Sequence, residues 1–322
     1  MGDQFWTHIT VWTYLCLVCI IIVCGSEDNL FEDLGLEVYP DIRKINVSQE
    51  EYTRMMRIYL DNLKNESKNT ESIPDLLTFK SERKSWRRRR LYFPIKQAQS
   101  EVTVDSSELR LLAPAIPNTE LLNISIYQIL NRRRKRFITE KTVYPSPIEP
   151  KWWDFDLTSA TSSWMSGDRN LGVEIDCLGC GQDFHPLEAS INALVLPKNH
   201  QRSKRGIERT DCRSNDPKRK CCRHKLQVDF KKLKLGEMDS IIQPKTYEAG
   251  YCRGRCPLNY NYATNHSRIQ SIVHRMNKTV PRVCCAPSKL THLEILRVDP
   301  HDYTKLHVEK WDNMIVLECA CS

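Results

Sequence analysis

Apolar and polar positions alternate along the chain in several distinct periods. Ser48-Gln49-Glu50-Glu51 has the form of a capping box. Tyr52, Met55, Met56, Tyr59, Leu60 and Leu63 follow at i, i+3, i+4, i+7 spacing, which predicts an amphipathic helix. Such a stripe ordinarily marks a core face; packing against a separate C-terminal domain is the sharper reading. Val102 to Leu112 partly alternates, a weak strand pattern, and Lys151 to Thr158 and Asn170 to Ile175 read as strands carrying large aromatics on a half-buried sheet. Lys225 to Phe230 alternates as a strand. Thr264 or Asn265 caps a helix with Ile269, Ile272, Val273 and Met276 on one face. Leu290 to Val298 and Lys305 to Cys319 form two long strands of a hairpin, divided by Asp299-Pro300-His301-Asp302.

The start of the chain follows a different pattern. Val11 to Val23 is apolar apart from Thr13 and Tyr14, too short for a comfortable membrane span, and Gly25 and Ser26 lead into polar Glu27. This predicts a secretory signal over residues 1–26. The segment before it carries Asp3 and neither Lys nor Arg, so an uncleaved signal anchor is the alternative.

A length of 322 residues suits about two domains. With 40% hydrophobic and 27% charged residues, the composition excludes a disordered chain or a multi-span membrane protein. Charge divides the chain unevenly. Residues 206–322 hold 21 Lys and Arg against 13 Asp and Glu, whereas the part before Gly206 holds 27 of each. Arg213, Lys218, Arg219 and Lys220, with Arg223 and Lys225 close by, form a cluster suited to heparan sulfate, an attraction that salt would screen. Nucleic acid is set aside as a partner, since a secreted chain seldom meets it. Three basic runs punctuate the sequence: Arg87 to Arg90, Arg132 to Arg136, and Arg202-Ser203-Lys204-Arg205 before Gly206. A proprotein convertase reads arginines three residues apart through an acidic cleft. Cleavage after Arg205 fits best, because that run separates two regions of unlike composition. Arg133, Lys135 and Arg136 make a possible second site, and solvated charge is the alternative for each run.

Nine of the fourteen cysteines lie between Cys212 and Cys321. If Cys252 joined Cys319 and Cys256 joined Cys321, the four would close a small ring. A third disulfide could thread it only where the lining lacked side chains, and Gly254 meets that need. Spacing alone leaves many pairings open. A structural zinc site is disfavoured because the doublets Cys221-Cys222 and Cys284-Cys285 are immediate neighbours, unlike the separated pairs that tetrahedral ligation uses. Cys177-Leu178-Gly179-Cys180 suggests a disulfide in a secreted chain, either closed locally or bridging two copies.

Cys252-Arg253-Gly254-Arg255-Cys256, the paired cysteines and terminal Cys319-Ala320-Cys321-Ser322 together resemble the mature domain of the transforming growth factor beta superfamily. Trp152-Trp153-Asp154-Phe155-Asp156-Leu157-Thr158, Trp164 and Asn170-Leu171-Gly172-Val173 resemble its propeptide. The resemblance implies a small disulfide-rich all-β cystine-knot growth factor domain with one helix, after an α+β propeptide of helices and a β-sandwich-like sheet. It divides the chain into signal peptide 1–26, propeptide 27–205 and mature domain 206–322. Implied ring bonds are Cys252–Cys319 and Cys256–Cys321, with Cys221–Cys285 threading and Cys212–Cys222 as the extra clasp of nine-cysteine ligands. Cys284 is left for a bond between subunits, which implies a disulfide-linked homodimer. The family's partners would be its own propeptide, a convertase, and type II and type I receptor serine/threonine kinases acting through Smad proteins. Leu296 and Val308, with Gln243 and Pro244 on the first finger, match the type II receptor contact. Gly236-Glu237-Met238-Asp239-Ser240 replaces a Trp-bearing type I receptor segment, so type I binding is in question. Nine cysteines match activin, myostatin and transforming growth factor beta, while Asn265-His266 and Trp311 to Met314 are closer to bone morphogenetic proteins.

Sequons at Asn46, Asn65, Asn123, Asn265 and Asn277 are candidate glycan acceptors, the three in the propeptide ahead of the other two. No His-Glu-x-x-His, Gly-x-Ser-x-Gly or glycine-rich phosphate loop occurs, which argues against an enzyme and calls for no metal or cofactor. The rival non-enzyme reading is a secreted cystine-knot antagonist that sequesters other ligands.

Overall fold

The structure is a computed structural model that describes residues 41–66, 73–82, 89–95, 102–181, 184–198, 211–212, 220–233 and 240–322. The candidate signal segment, Arg202 to Gly206, Arg213 to Arg219 and Gly236 to Asp239 lie outside them.

The N-terminal part is built on two four-stranded antiparallel sheets, with strands numbered in chain order. One runs β1 (Asp75–Lys80), β8 (Glu188–Pro197), β3 (Val102–Ala113), β6 (Lys151–Asp156). The other runs β2 (Arg90–Leu91), β7 (Val173–Leu178), β4 (Leu122–Ile129), β5 (Lys135–Val143). Successive side chains point to opposite faces of a strand. Leu109, Leu111, Trp153, Phe155 and Ile191 of one sheet therefore share a core with Ile124, Ile126, Val173 and Ile175 of the other. Helix α2 (Thr158–Met165) adds Ala160 and Trp164 to that core. Trp164 is thus helical: the Asp156 carboxylate takes the Thr158 N–H at 2.9 Å, and the chain turns out of β6 there.

Helix α1 (Gln49–Glu66) buries the Tyr52, Met55, Met56, Tyr59, Leu60 stripe. Ser48 Oγ accepts the Glu51 N–H at 3.1 Å, one half of the capping box. The other half is absent. Glu51 instead takes Arg54 at 2.8 Å and the backbone N–H of Leu306 at 3.3 Å, tying the helix to the C-terminal domain. Arg110 on β3, only 2% exposed, holds the helix entry from below. Its guanidinium donates to the carbonyls of Val47 (2.7 Å) and Ser48 (3.1 Å) and to Asp154 (2.8 Å), and it lies 4.4 Å from the Tyr52 ring centroid.

In the C-terminal domain β9 (Cys222–His224) pairs with β13 (Tyr251–Arg253), and β10 (Gln227–Asp229) with β12 (Thr246–Glu248). The strand expected over Lys225 to Phe230 is therefore broken. β9 ends at His224, β10 spans three residues, and Phe230 begins a 3-10 turn that stacks its ring on Tyr247. The long hairpin of β14 (Cys285–Val298) and β15 (Leu306–Cys321) takes β11 (Ile241–Gln243) as a third strand. Helix α3 (Asn265–Met276) has Thr264 as its N-cap, with Oγ1 accepting from Ser267 N–H at 3.1 Å.

Candidate functional site

Five disulfides close in the described chain. Cys252–Cys319 and Cys256–Cys321, with Cα separations of 5.7 Å each, link two short backbone segments into a ring, and Cys221–Cys285 passes through. Gly254 has φ +141°, and a Cβ there would stand 2.3 Å from the Lys220 carbonyl oxygen and 2.6 Å from Cys221 N. The threading strand fills the space that glycine leaves open. Cys212–Cys222 adds a clasp, and Cys177–Cys180 closes locally on one chain. The core at the knot is small: Val283 and Val316 are its buried aliphatic members. Arg223 is fully buried beside it, donating to Val316 O (2.6 Å), Asp211 (2.7 Å) and Glu248 (2.7 Å). Cys284 is unpaired and exposed.

The four residues matched to receptor contact come together on the hairpin. Leu296 is the ladder partner of both Val308 and Gln243, and Pro244 follows Gln243 across a cis peptide bond. This patch is not open in the described chain. Leu296, Val298, Leu306 and Val308 pack with Val47, Tyr52, Met55, Met56, Tyr59 and Leu60 around α1. Gln243 is also buried. The helix stripe, for which packing against the C-terminal domain is the sharper of the two sequence readings, covers the finger.

Charged groups ring this apolar seam. Lys245 of the finger pairs with Glu108 of β3, which also accepts from Tyr52 Oη at 2.8 Å. Burial alone would lower the Lys245 ammonium, but Glu108, Asp156 and Asp154 outweigh it and hold the pKa up. At the far end of α1, Glu66 meets His292 Nε2 at 2.9 Å and the Lys310 ammonium. Burial pushes the Glu66 carboxyl up, and hydrogen bonds from Lys310 and His292 outweigh it and bring it below its usual value. Next to it Glu294 is raised, by burial first and then by the Glu66 charge. On the hairpin, burial opposes ionisation of Glu309, but hydrogen bonds from His307, Trp311 and Arg297 hold its pKa at about 2. None of these ionic contacts stood out in the sequence, where isolated charges are too common to single out.

Other candidate residues are spread over the surface. Asn65, Asn123, Asn265 and Asn277 are exposed. Asn46 is turned inward: it donates to Pro150 O at 3.1 Å and accepts from Trp152 N at 3.0 Å, which removes it from the front rank of glycan acceptors. Arg136 begins the second residue of β5, paired with Gln128, while Lys135 is held at 2.9 Å from Glu174. Its peptide bond lies in a ladder, not in the free extended segment a protease takes. Arg133 is in the preceding exposed bend. Lys220 places its ammonium 4.9 Å from the Tyr260 ring centroid. Among the described residues no helix is long and apolar enough to cross a membrane.

Residues 35–202 match the family described as TGF-beta propeptide, and residues 220–321 match the transforming growth factor beta like domain. Bone morphogenetic protein 2 of Tetraodon nigroviridis is 26% identical over 294 aligned residues, covering 71% of this chain and 68% of the relative. With the propeptide match alone spanning more than half of its length, the chain belongs to the transforming growth factor beta superfamily, as a precursor of a cystine-knot growth factor.

Proposed function

We propose that this precursor is secreted, is cut by a proprotein convertase after Arg205, and yields a dimer joined through Cys284 that brings type II and type I receptor kinases together to drive Smad signalling. In this reading residues 1–26 are the signal, 27–205 the propeptide and 206–322 the ligand. Twofold symmetry gives each receptor type two sites, and signalling follows from enforced proximity.

The observation that carries the reading is the seam between α1 and the hairpin. A stripe of apolar side chains seated on Leu296, Val298 and Val308 is what a propeptide covering a receptor face would present. The cover implies that the precursor is silent until α1 leaves the finger. Exposed, unpaired Cys284 beside a closed knot supports a bond to a second copy. The exposed apolar face of α3 (Ile269, Ile272, Val273, Met276) supports a partner surface as well.

Gel mass of the secreted protein with and without reductant tests processing and linkage, comparing wild type with Arg205→Ala and Cys284→Ser. A ligand band that halves on reduction, disappears with Cys284→Ser and stays at precursor size with Arg205→Ala is expected. A Smad reporter then separates function: the isolated ligand raises signal alone, and the uncut precursor does not. A protein that only lowers the response to other ligands would overturn the reading.

A further inference from the structure

We propose that the concavity between α3 and the loop after it is an anion site that takes sulfate groups of an extracellular glycan chain. It is separate from the basic cluster at Arg213 to Lys220, and the choice of glycan rests on the secreted reading above.

The cavity holds about 230 Å³ and is lined by Cys256, Pro257, Leu258, Ser271, Val283 and four nitrogen bases: His274, Arg275, Lys278 and Arg282. Among the described residues no carboxylate lines it, and neither Arg275 nor Lys278 forms an ion pair. Uncompensated cations around one hollow repel each other, so an anion bound there is favoured. The volume suits a charged group and its linkage, not a folded element.

The site is built in advance. His274 Nδ1 donates to Val280 O at 2.6 Å, and Gln270 Nε2 donates to Pro281 O at 3.1 Å, pinning the loop to the helix. His274 Nε2 accepts from Arg282 Nε at 3.0 Å. That bond orients the guanidinium and leaves its two terminal nitrogens without a hydrogen bond to any described residue. A fork of this kind matches an oxyanion bidentately. His274 and Arg282 therefore have little side-chain freedom left to lose when the ligand arrives.

Helical geometry keeps the site open. At 3.6 residues per turn, Ser271, His274 and Arg275 fall roughly opposite the exposed stripe of Ile269, Ile272, Val273 and Met276. A second copy covering that stripe would lie on the other side of α3 from Arg275, which with Lys278 and Arg282 is exposed. Among the described residues the N-terminal part does not line it either: the α1 seam lies on the hairpin. Lys220, the last residue of the basic cluster, bridges to Arg255, which precedes the lining residue Cys256. One bridge thus ties Lys220, the described end of that cluster, to the backbone that leads into the pocket.

The test is binding of the secreted wild-type protein to immobilised heparin across salt concentrations, beside Arg275→Gln/Lys278→Gln/Arg282→Gln. A control, Lys231→Gln/Lys232→Gln/Lys305→Gln, removes equal charge from exposed positions elsewhere. A third variant, Arg213→Gln/Lys218→Gln/Arg219→Gln, reports the other cluster. Retained disulfide mass and melting temperature establish that each variant folds. Each lost contact to a polyanion lowers the log K against log salt slope by about 0.7–0.9. The pocket variant is expected to lose about two units of slope and at least about tenfold in affinity at 0.15 M salt, the control much less. Equal losses in pocket and control variants would mean net charge alone. An unchanged pocket variant, or full binding to desulfated heparin, would overturn the site or its sulfate preference. A single-stranded oligonucleotide held as tightly as heparin would overturn the glycan assignment. Polymer binding needs no receptor, so a silent Smad reporter leaves this result standing and bears only on the signalling reading.

Discussion

Replacing Met56 by alanine probes the contact on which the covering role of α1 depends. Met56 is fully buried in the seam formed by α1, Leu194 and finger residues Leu296, Val298 and Leu306. Truncating a buried methionine removes transfer free energy and leaves a cavity, at a cost of about 2–5 kcal/mol. Part of that falls on the packing of α1 against its own sheet through Leu194, so the share felt by the finger contact is about 2–3 kcal/mol. At 1.36 kcal/mol per decade this is about a 30- to 150-fold weaker association of the cut N-terminal part with the growth factor. The assay is equilibrium binding of the two purified parts by surface plasmon resonance, with near-ultraviolet dichroism checking that the sandwich stays folded. Arg57→Ala, on the exposed side of the same helix, is the control. A folded Met56→Ala variant that binds within about threefold of wild type would refute the argument that this stripe holds the finger.

Three further outcomes follow from the geometry. Gly254→Ala brings a Cβ to 2.3 Å from the Lys220 carbonyl, so the knot cannot thread; scrambled disulfides by non-reducing peptide mapping are expected, and a native map would refute the close-approach argument. Arg110→Met removes the buried partner of Asp154 and the donor to the Val47 carbonyl, for a loss of about 1–3 kcal/mol in denaturant unfolding. Acid should weaken the seam through Glu66, whose carboxyl lies below its usual 4.5 when docked: its contribution is present above that value and is lost as pH falls through the depressed one. Raised Glu294 acts in the opposite sense, since its protonation relieves repulsion with Glu66. Glu66→Gln is expected to flatten the acid side of an affinity titration between pH 7 and 3; parallel loss in both proteins would exclude Glu66 as the group.

Local patterns made much of the architecture legible. The 3.6-residue stripe from Tyr52 to Leu63 reflects one face buried and one wet, a property a helix carries by itself. Gly254 could be read as a place where backbone comes close, because no other residue leaves that space. Lys225 to Phe230 was less legible: its alternation survives in the sequence, but stacking of Phe230 on Tyr247 bends the chain into a 3-10 turn. Helix α2, which carries Trp164, was not legible at all: it starts from the Asp156–Thr158 hydrogen bond, which no periodicity announces.

By itself, the sequence determined which faces are apolar, where the chain is basic and which residues can carry a knot. Only the tertiary structure decided what each face meets. Periodicity reports that the α1 stripe must leave water, but burial is non-directional and names no partner; contact with Leu296 and Val308 depends on the arrangement of strands far away in the chain. Likewise Glu66, His292 and Lys310, or His274 and Arg282, become a clasp or an anion pocket only when folding brings them within hydrogen-bond distance, because charge interactions depend on separation and local solvent that no local pattern encodes.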